Sequence, residues 1–115
     1  MTIYALSTGL GISGIAVVRV SGKSTADVVK KITNAELPNP REATRRKFNY
    51  ADTKELIDEG VLLWFPGPNS YTGEDLAEFH VHGSRAVISA LHKALSKFKN
   101  CRLAEPGEFT KRAFQ

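Results

Sequence analysis

The chain has 115 residues, 42% of them hydrophobic, which suits one compact domain with a real core and excludes a disordered or fibrous chain. Sixteen basic residues against twelve acidic ones give a net charge of +4 and a pI near 9.4, which admits an anionic partner, but the charges are interspersed and do not by themselves indicate nucleic acid. Cys101 is the only cysteine, so an internal disulfide and a multi-cysteine metal site within one chain are excluded; a cytoplasmic setting is expected, with no signal peptide at residues 1–5 and no apolar run approaching membrane-spanning length.

Residues 2–6 predict a first short strand, followed by a glycine-rich turn that matches G-x-G-x-x-G at residues 9–14. That fingerprint binds a pyrophosphate only when the glycines open a helix. Here Ile15, Ala16, Val17, Val18 and Val20 form a β-rich run, so the glycines are expected to join two strands. Arg19 interrupts that run and shares its face with Ile15 and Val17; a guanidinium there either finds an acceptor or extends past the strand to solvent. Gly22-Lys23-Ser24 resembles the end of a P-loop, but Val17 stands where the pattern demands glycine. Ser24 instead predicts a helix N-terminus, with Val28, Val29 and Ile32 as the apolar stripe and an end near Asn34.

Pro38-Asn39-Pro40 forbids regular structure and leads into the basic cluster Arg45-Arg46-Lys47, read as part of a solvated connection, with a strand at residues 47–50. A turn at residues 52–54 and a strand over residues 56–65 follow. Pro66-Gly67-Pro68-Asn69 stops that strand, and Gly73 ends a long turn. From Asp75 the chain alternates, so that Ala77, Phe79 and Val81 share one face of a strand and Glu78, His80 and His82 the other. Ser84 is the expected N-cap of a helix whose Val87, Ile88, Leu91, Ala94, Leu95 and Phe98 make one buried face. A last strand at residues 102–104 and a helix over residues 108–115 complete the chain, which ends within that helix as a piece of a longer protein would. One α+β domain is expected, its sheet mixed or antiparallel with helices packed on one face.

Glu78 sits mid-strand between apolar neighbours, where a carboxylate needs a partner. Arg19 could supply one as a structural ion pair, or a ligand with adjacent N–H donors could, because a carboxylate accepts two parallel hydrogen bonds. His80 and His82 share a face as a metal pair might, with Glu78 as a third ligand, but His92 and Cys101 fall on separate elements and the metal signal is weak. No serine or cysteine sits in a recognisable nucleophile motif. Glu105, Glu108 and Lys111 surround the final turn, with Glu108 and Lys111 spaced as an ordinary helix pair.

Three strings, GIAVVRVSG (residues 14–22), LWFPGPNSYTGEDLAEFHVHG (residues 63–83) and EPGEFTKRAF (residues 105–114), closely resemble the N-terminal domain of the tRNA-modification GTPases called MnmE or TrmE, over nearly the whole chain. The resemblance implies a folate-binding α+β domain, similar to the tetrahydrofolate-binding domains of aminomethyltransferases, that also forms a homodimer, most simply a two-fold one. It places the family's folate contacts on Arg19 and Glu78, with a further contact, a lysine, falling beyond Gln115. The implied cofactor is 5-formyltetrahydrofolate or 5,10-methylenetetrahydrofolate, used as one-carbon donor.

Whole family members continue into a helical domain with an inserted GTPase domain. They use GTP, magnesium and potassium, and with a flavin-dependent partner protein modify the wobble uridine of certain tRNAs. This sequence holds no P-loop, GTP-base motif or terminal cysteine motif, so folate binding and dimerisation are expected of it, with no GTP hydrolysis or tRNA modification alone, no catalytic residue and no metal or membrane partner. A competing expectation is a purely structural interaction domain in which Arg19 and Glu78 pair and no ligand binds. A third is tRNA contact through Arg45, Arg46 and Lys47. Tyr71 and Thr72 have no role in this reading beyond turn chemistry.

Overall fold

The computed structural model describes residues 1–7 and 14–115. Among these the chain forms, in order, β1 (Thr2–Leu6), β2 (Ile15–Ser21), α1 (Thr25–Thr33), β3 (Thr44–Asn49), β4 (Leu56–Phe65), β5 (Leu76–His82), α2 (Arg85–Ser96), β6 (Cys101–Leu103) and α3 (Glu108–Ala113). The six strands make one sheet in the order β3-β4-β5-β2-β1-β6. Every neighbouring pair is antiparallel except β1 and β6, so the sheet is mixed and the domain is α+β, as expected.

The period-two alternation decides which residues meet the helices. Ala16, Val18 and Val20 of β2, Leu62 and Trp64 of β4, and Ala77, Phe79 and Val81 of β5 enter one core with Val28, Val29 and Ile32 of α1 and Ile88, Leu91 and Leu95 of α2. Phe48 and Phe79 pack edge to face within it, ring centroids 5.1 Å apart. Ser84 caps α2 as its sequence predicts, its Oγ accepting from the Val87 N–H at 3.1 Å. Ser24 occupies the corresponding place before α1, but its side chain makes no cap bond; its own N–H donates to Thr2 Oγ1, and Asn34 ends the helix in the left-handed region at φ 52°.

Two expectations are corrected. The basic triplet at residues 45–47 lies inside β3, not in a connection, because its alternation with Thr44 and Phe48 carries the strand further toward the N-terminus than residue 47. β3 is an edge strand, and exposed Arg45 and Lys47 are the charges that discourage another chain from pairing with it. α1 and α2 form the core layer on one face of the sheet, as expected, whereas the last helix, α3, buries no residue and stops at Ala113, short of the expected residue 115, with Phe114 exposed. Of the glycine-rich turn at residues 9–14, all but Gly14 lies outside the described residues; the segment after it is a strand, where the dinucleotide fingerprint needs a helix.

On the face opposite the core helices, Ile3, Val17, Ser21 and Leu76 are also buried. The segment joining β4 to β5 helps to cover them: its Thr72 is buried, and Thr72 Oγ1 lies 2.7 Å from Ser21 Oγ. The site is built on this face.

Candidate functional site

The β2–β5 register sets Arg19 directly opposite Glu78. Arg19 Nε–H donates to Glu78 Oε2 at 2.9 Å, and His80 Nε2 lies 2.9 Å from Oε1 of the same carboxylate. The Glu78 side chain is 14% exposed and that of Arg19 33%, so the acid is the more deeply set partner. The hydrogen bond from His80, with the bond and charge of Arg19, holds the Glu78 carboxyl below its usual range against the opposing effect of burial. The glutamate is therefore an anion with a donor on each oxygen.

Arg19 continues outward to the wall of a cleft of about 390 Å³. Its Cζ lies 5.5 Å from the centroid of the Tyr71 ring, a cation–π contact that fixes the guanidinium under an aromatic face. Tyr71, on the β4–β5 segment, lines one side of this cleft together with Arg19 and Ser7; Glu105, Gly107 and Phe109, before and within α3, line the other. Glu78 takes one of the five N–H donors of Arg19, and among the described residues no protein acceptor meets the other four. The arrangement can therefore present N–H donors to an acceptor or anionic group in the cleft, with a tyrosine face beside them.

A second cluster holds the α3 wall. Arg102 grips Glu108 through both nitrogens, Nη1 to Oε1 at 2.7 Å and Nη2 to Oε2 at 2.5 Å. Glu108 also accepts from the Glu105 N–H, and these bonds push its carboxyl down to about 2. The helix pair expected between Glu108 and Lys111 is replaced by Arg102 and Arg112, because the bidentate fork of an arginine outcompetes a single ammonium. Glu105 contributes its backbone to this cluster and lines the cleft.

The histidines are drawn apart. His80 bonds Glu78, whereas His82 Nδ1 lies 2.9 Å from Oδ1 of Asp58 on β4, so the two rings serve different carboxylates. Among the described residues no three of His, Cys, Asp and Glu gather to hold a metal. His92 lies on the helix side against Tyr4, ring centroids 5.5 Å apart, and burial pushes its pKa down. Cys101 is a free buried thiol whose pKa is raised first by burial and then by the charge of Asp27, which leaves it unreactive.

The structure thus brings together the two residues singled out from the sequence, Arg19 and Glu78, and places His80 with them. Sequence reasoning missed Tyr71, Glu74, Arg102, Phe109 and Arg112. An aromatic residue in a turn was the one available signal for Tyr71, since turn chemistry does not require it. The others sit far from β2 in the chain, and only the fold brings Glu74 to Ser21, Phe109 to the cleft that Arg19 lines, and Arg102 and Arg112 to Glu108.

A small α+β domain whose chemistry gathers on the sheet face away from its core helices, beside a cleft of ligand size, is the class that this architecture defines. Residues 2–115 match the family model described as GTP-binding protein TrmE N-terminus, and the chain belongs to that family. It is 73% identical over 115 residues to the tRNA modification GTPase MnmE of Pelagibacter ubique (strain HTCC1062), covering 100% of this chain and 26% of that relative. It is 55% identical over 113 residues to the mitochondrial 5-taurinomethyluridine-[tRNA] synthase subunit GTPB3 of Danio rerio, covering 98% of this chain and 22% of that protein. The chain therefore spans about a quarter of the length of these relatives. No helix among the described residues is long and apolar enough to cross a membrane.

Proposed function

We propose that this chain is the folate-binding and dimerising N-terminal domain of a GTPase that modifies the wobble uridine of tRNA. The family and the names of its relatives support a GTPase of tRNA modification as the wider context; in this reading GTP, magnesium, potassium, a flavin-dependent partner protein and tRNA belong to the whole protein. The observation that carries the folate reading is Arg19, anchored at Nε by Glu78 while its side chain lines a cleft of about 390 Å³. A bound 5-formyltetrahydrofolate or 5,10-methylenetetrahydrofolate supplies a one-carbon unit. The residues present fit such a ligand: a carboxylate held ionised suits the amino and ring N–H donors of a pterin, and Arg19 suits its carbonyl or a carboxylate. In this reading Tyr71 offers a face for a planar ring and shields Arg19 from water.

Glu78 lies behind Arg19 and is not part of the cleft wall, so its contact with a pterin requires Arg19 or His80 to move aside. This occupancy is the observation favouring the second reading, a purely structural domain in which the triad only stabilises the sheet. Dimerisation finds support on the same sheet face, where Ile15 is 52% exposed beside a shallow depression lined by Val61 and His80. Equilibrium dialysis against 5-formyltetrahydrofolate separates the readings. Saturable binding by the wild-type chain supports the folate site, and its absence supports the structural domain. Sedimentation equilibrium tests the dimer, a monomer at tens of micromolar being the contrary result.

A further inference from the structure

α3 is anomalous in this fold. It forms part of the cleft wall through Phe109 and Thr110, yet it buries no residue, so packing against the core does not hold it in place. Charged hydrogen bonds do. Arg112 is the residue on which they converge: its Nη1 donates to Glu74 at 3.0 Å, and its Nη2 donates to the Met1 carbonyl at 2.8 Å and to Glu108 Oε2 at 3.3 Å. The Arg112 side chain is only 15% exposed. Glu74 belongs to the segment that carries Tyr71, and it is fixed in turn by Ser21 Oγ–H at 2.9 Å and by its own N–H on Thr72 Oγ1. Glu108 is gripped from β6 by Arg102. An unbroken line of charged and hydroxyl bonds therefore runs from β2 through the Tyr71 segment to α3 and on to β6.

We propose that Arg112 is a positioning residue that couples the two walls of the cleft, tying the segment bearing Tyr71 to the helix bearing Phe109, so that one guanidinium sets the cleft width. The part of this inference that concerns affinity rests on the reading of the cleft as a folate site; the coupling of the walls does not. A planar guanidinium suits this role because it donates in two directions at fixed geometry, which a lysine cannot do. Removing Glu74 should loosen both walls, because among the described residues the Arg112–Glu74 contact alone hydrogen-bonds α3 to the segment bearing Tyr71.

The test is residue-resolved amide exchange on the wild-type chain and on Arg112→Gln and Glu74→Gln. The Gly73 N–H, bonded to Ser70, reports the Tyr71 segment, and the Lys111 N–H, bonded to Gly107, reports α3. Each variant is expected to speed exchange at both amides roughly tenfold or more, with the Leu62 and Phe79 amides unchanged. A double-mutant cycle on 5-formyltetrahydrofolate affinity is expected to be non-additive, the double variant being no weaker than the worse single. Loosening of α3 alone by Arg112→Gln, or an unmoved Lys111 amide in Glu74→Gln, overturns the coupling. If Arg112→Gln does not fold, Glu74→Gln decides by itself through Lys111. Failure of the wild-type chain to bind the folate overturns the folate reading, while the exchange results still decide the coupling.

Discussion

Arg19 and Glu78 face each other across the β2–β5 register and are joined at 2.9 Å, but they are unequal partners: Arg19 reaches the cleft, and Glu78 stays behind it with His80. Removing one therefore differs from removing the other. Arg19→Ala strands a largely buried carboxylate with His80 as its remaining side-chain donor and should cost about 3–4 kcal/mol. Glu78→Ala leaves a guanidinium that can turn to water in the cleft and should cost about 1–2 kcal/mol. Urea unfolding of the two variants checks this order, and a reversed order contradicts it.

Glu108 titrates far from its ordinary value, at about 2 against 4.5. A carboxyl depressed in the folded state contributes stability that is complete above its unfolded pKa and is lost as pH falls through the folded one. The α3 wall should therefore loosen as pH drops from about 4.5 toward 2. Opening free energies from the Lys111 amide should fall across that window in the wild-type chain and stay nearly flat in Glu108→Gln.

His92 carries the opposite kind of charge but loses stability in the same direction. Burial lowers its folded pKa below the ordinary 6.5, so the unfolded chain takes up the proton first. Its contribution is complete above pH 6.5 and declines as pH falls from there toward the lowered value. The fall in urea midpoint between neutral and mildly acid pH should be shallower in His92→Gln than in the wild-type chain.

Gly60 of β4 sits tight against the backbone of β5. A Cβ at this position would lie 2.0 Å from the His80 carbonyl oxygen and 3.2 Å from Phe48, and the first of these is backbone that cannot move without parting the strands. Gly60→Ala should destabilise by roughly 3 kcal/mol or more, measured as a lowered urea midpoint with unchanged slope. A substitution here should also disturb His80 and hence the Glu78 site, a consequence that a change at exposed Gly73 should not share.

Most of the fold was legible because the alternation in β5 and the helical stripe of α2 are strong local signals that tertiary packing reinforces. The pair of charges at Arg19 and Glu78 was legible for the same reason, each standing out against apolar neighbours on its own strand. β3 was misjudged because an edge strand tolerates charges at positions where a central strand does not, so its composition resembles a loop. The cleft was illegible. Its walls come from segments around residues 5–7, 71 and 104–110, and nothing local in those segments reveals that β6 lies beside β1 or that Arg112 reaches Glu74. Glu108 was assigned the wrong partner because spacing along a helix identifies the neighbours available within it, but not an arginine arriving from another strand.

The most direct test of the central claim is calorimetric titration of 5-formyltetrahydrofolate into the wild-type chain and into Glu78→Ala, after both have been shown to be folded. The account predicts saturable binding by the wild-type chain, weakened by about a hundredfold or more in the variant, a difference of roughly 3 kcal/mol. No binding by the wild-type chain, or equal affinity in a folded Glu78→Ala, would contradict it.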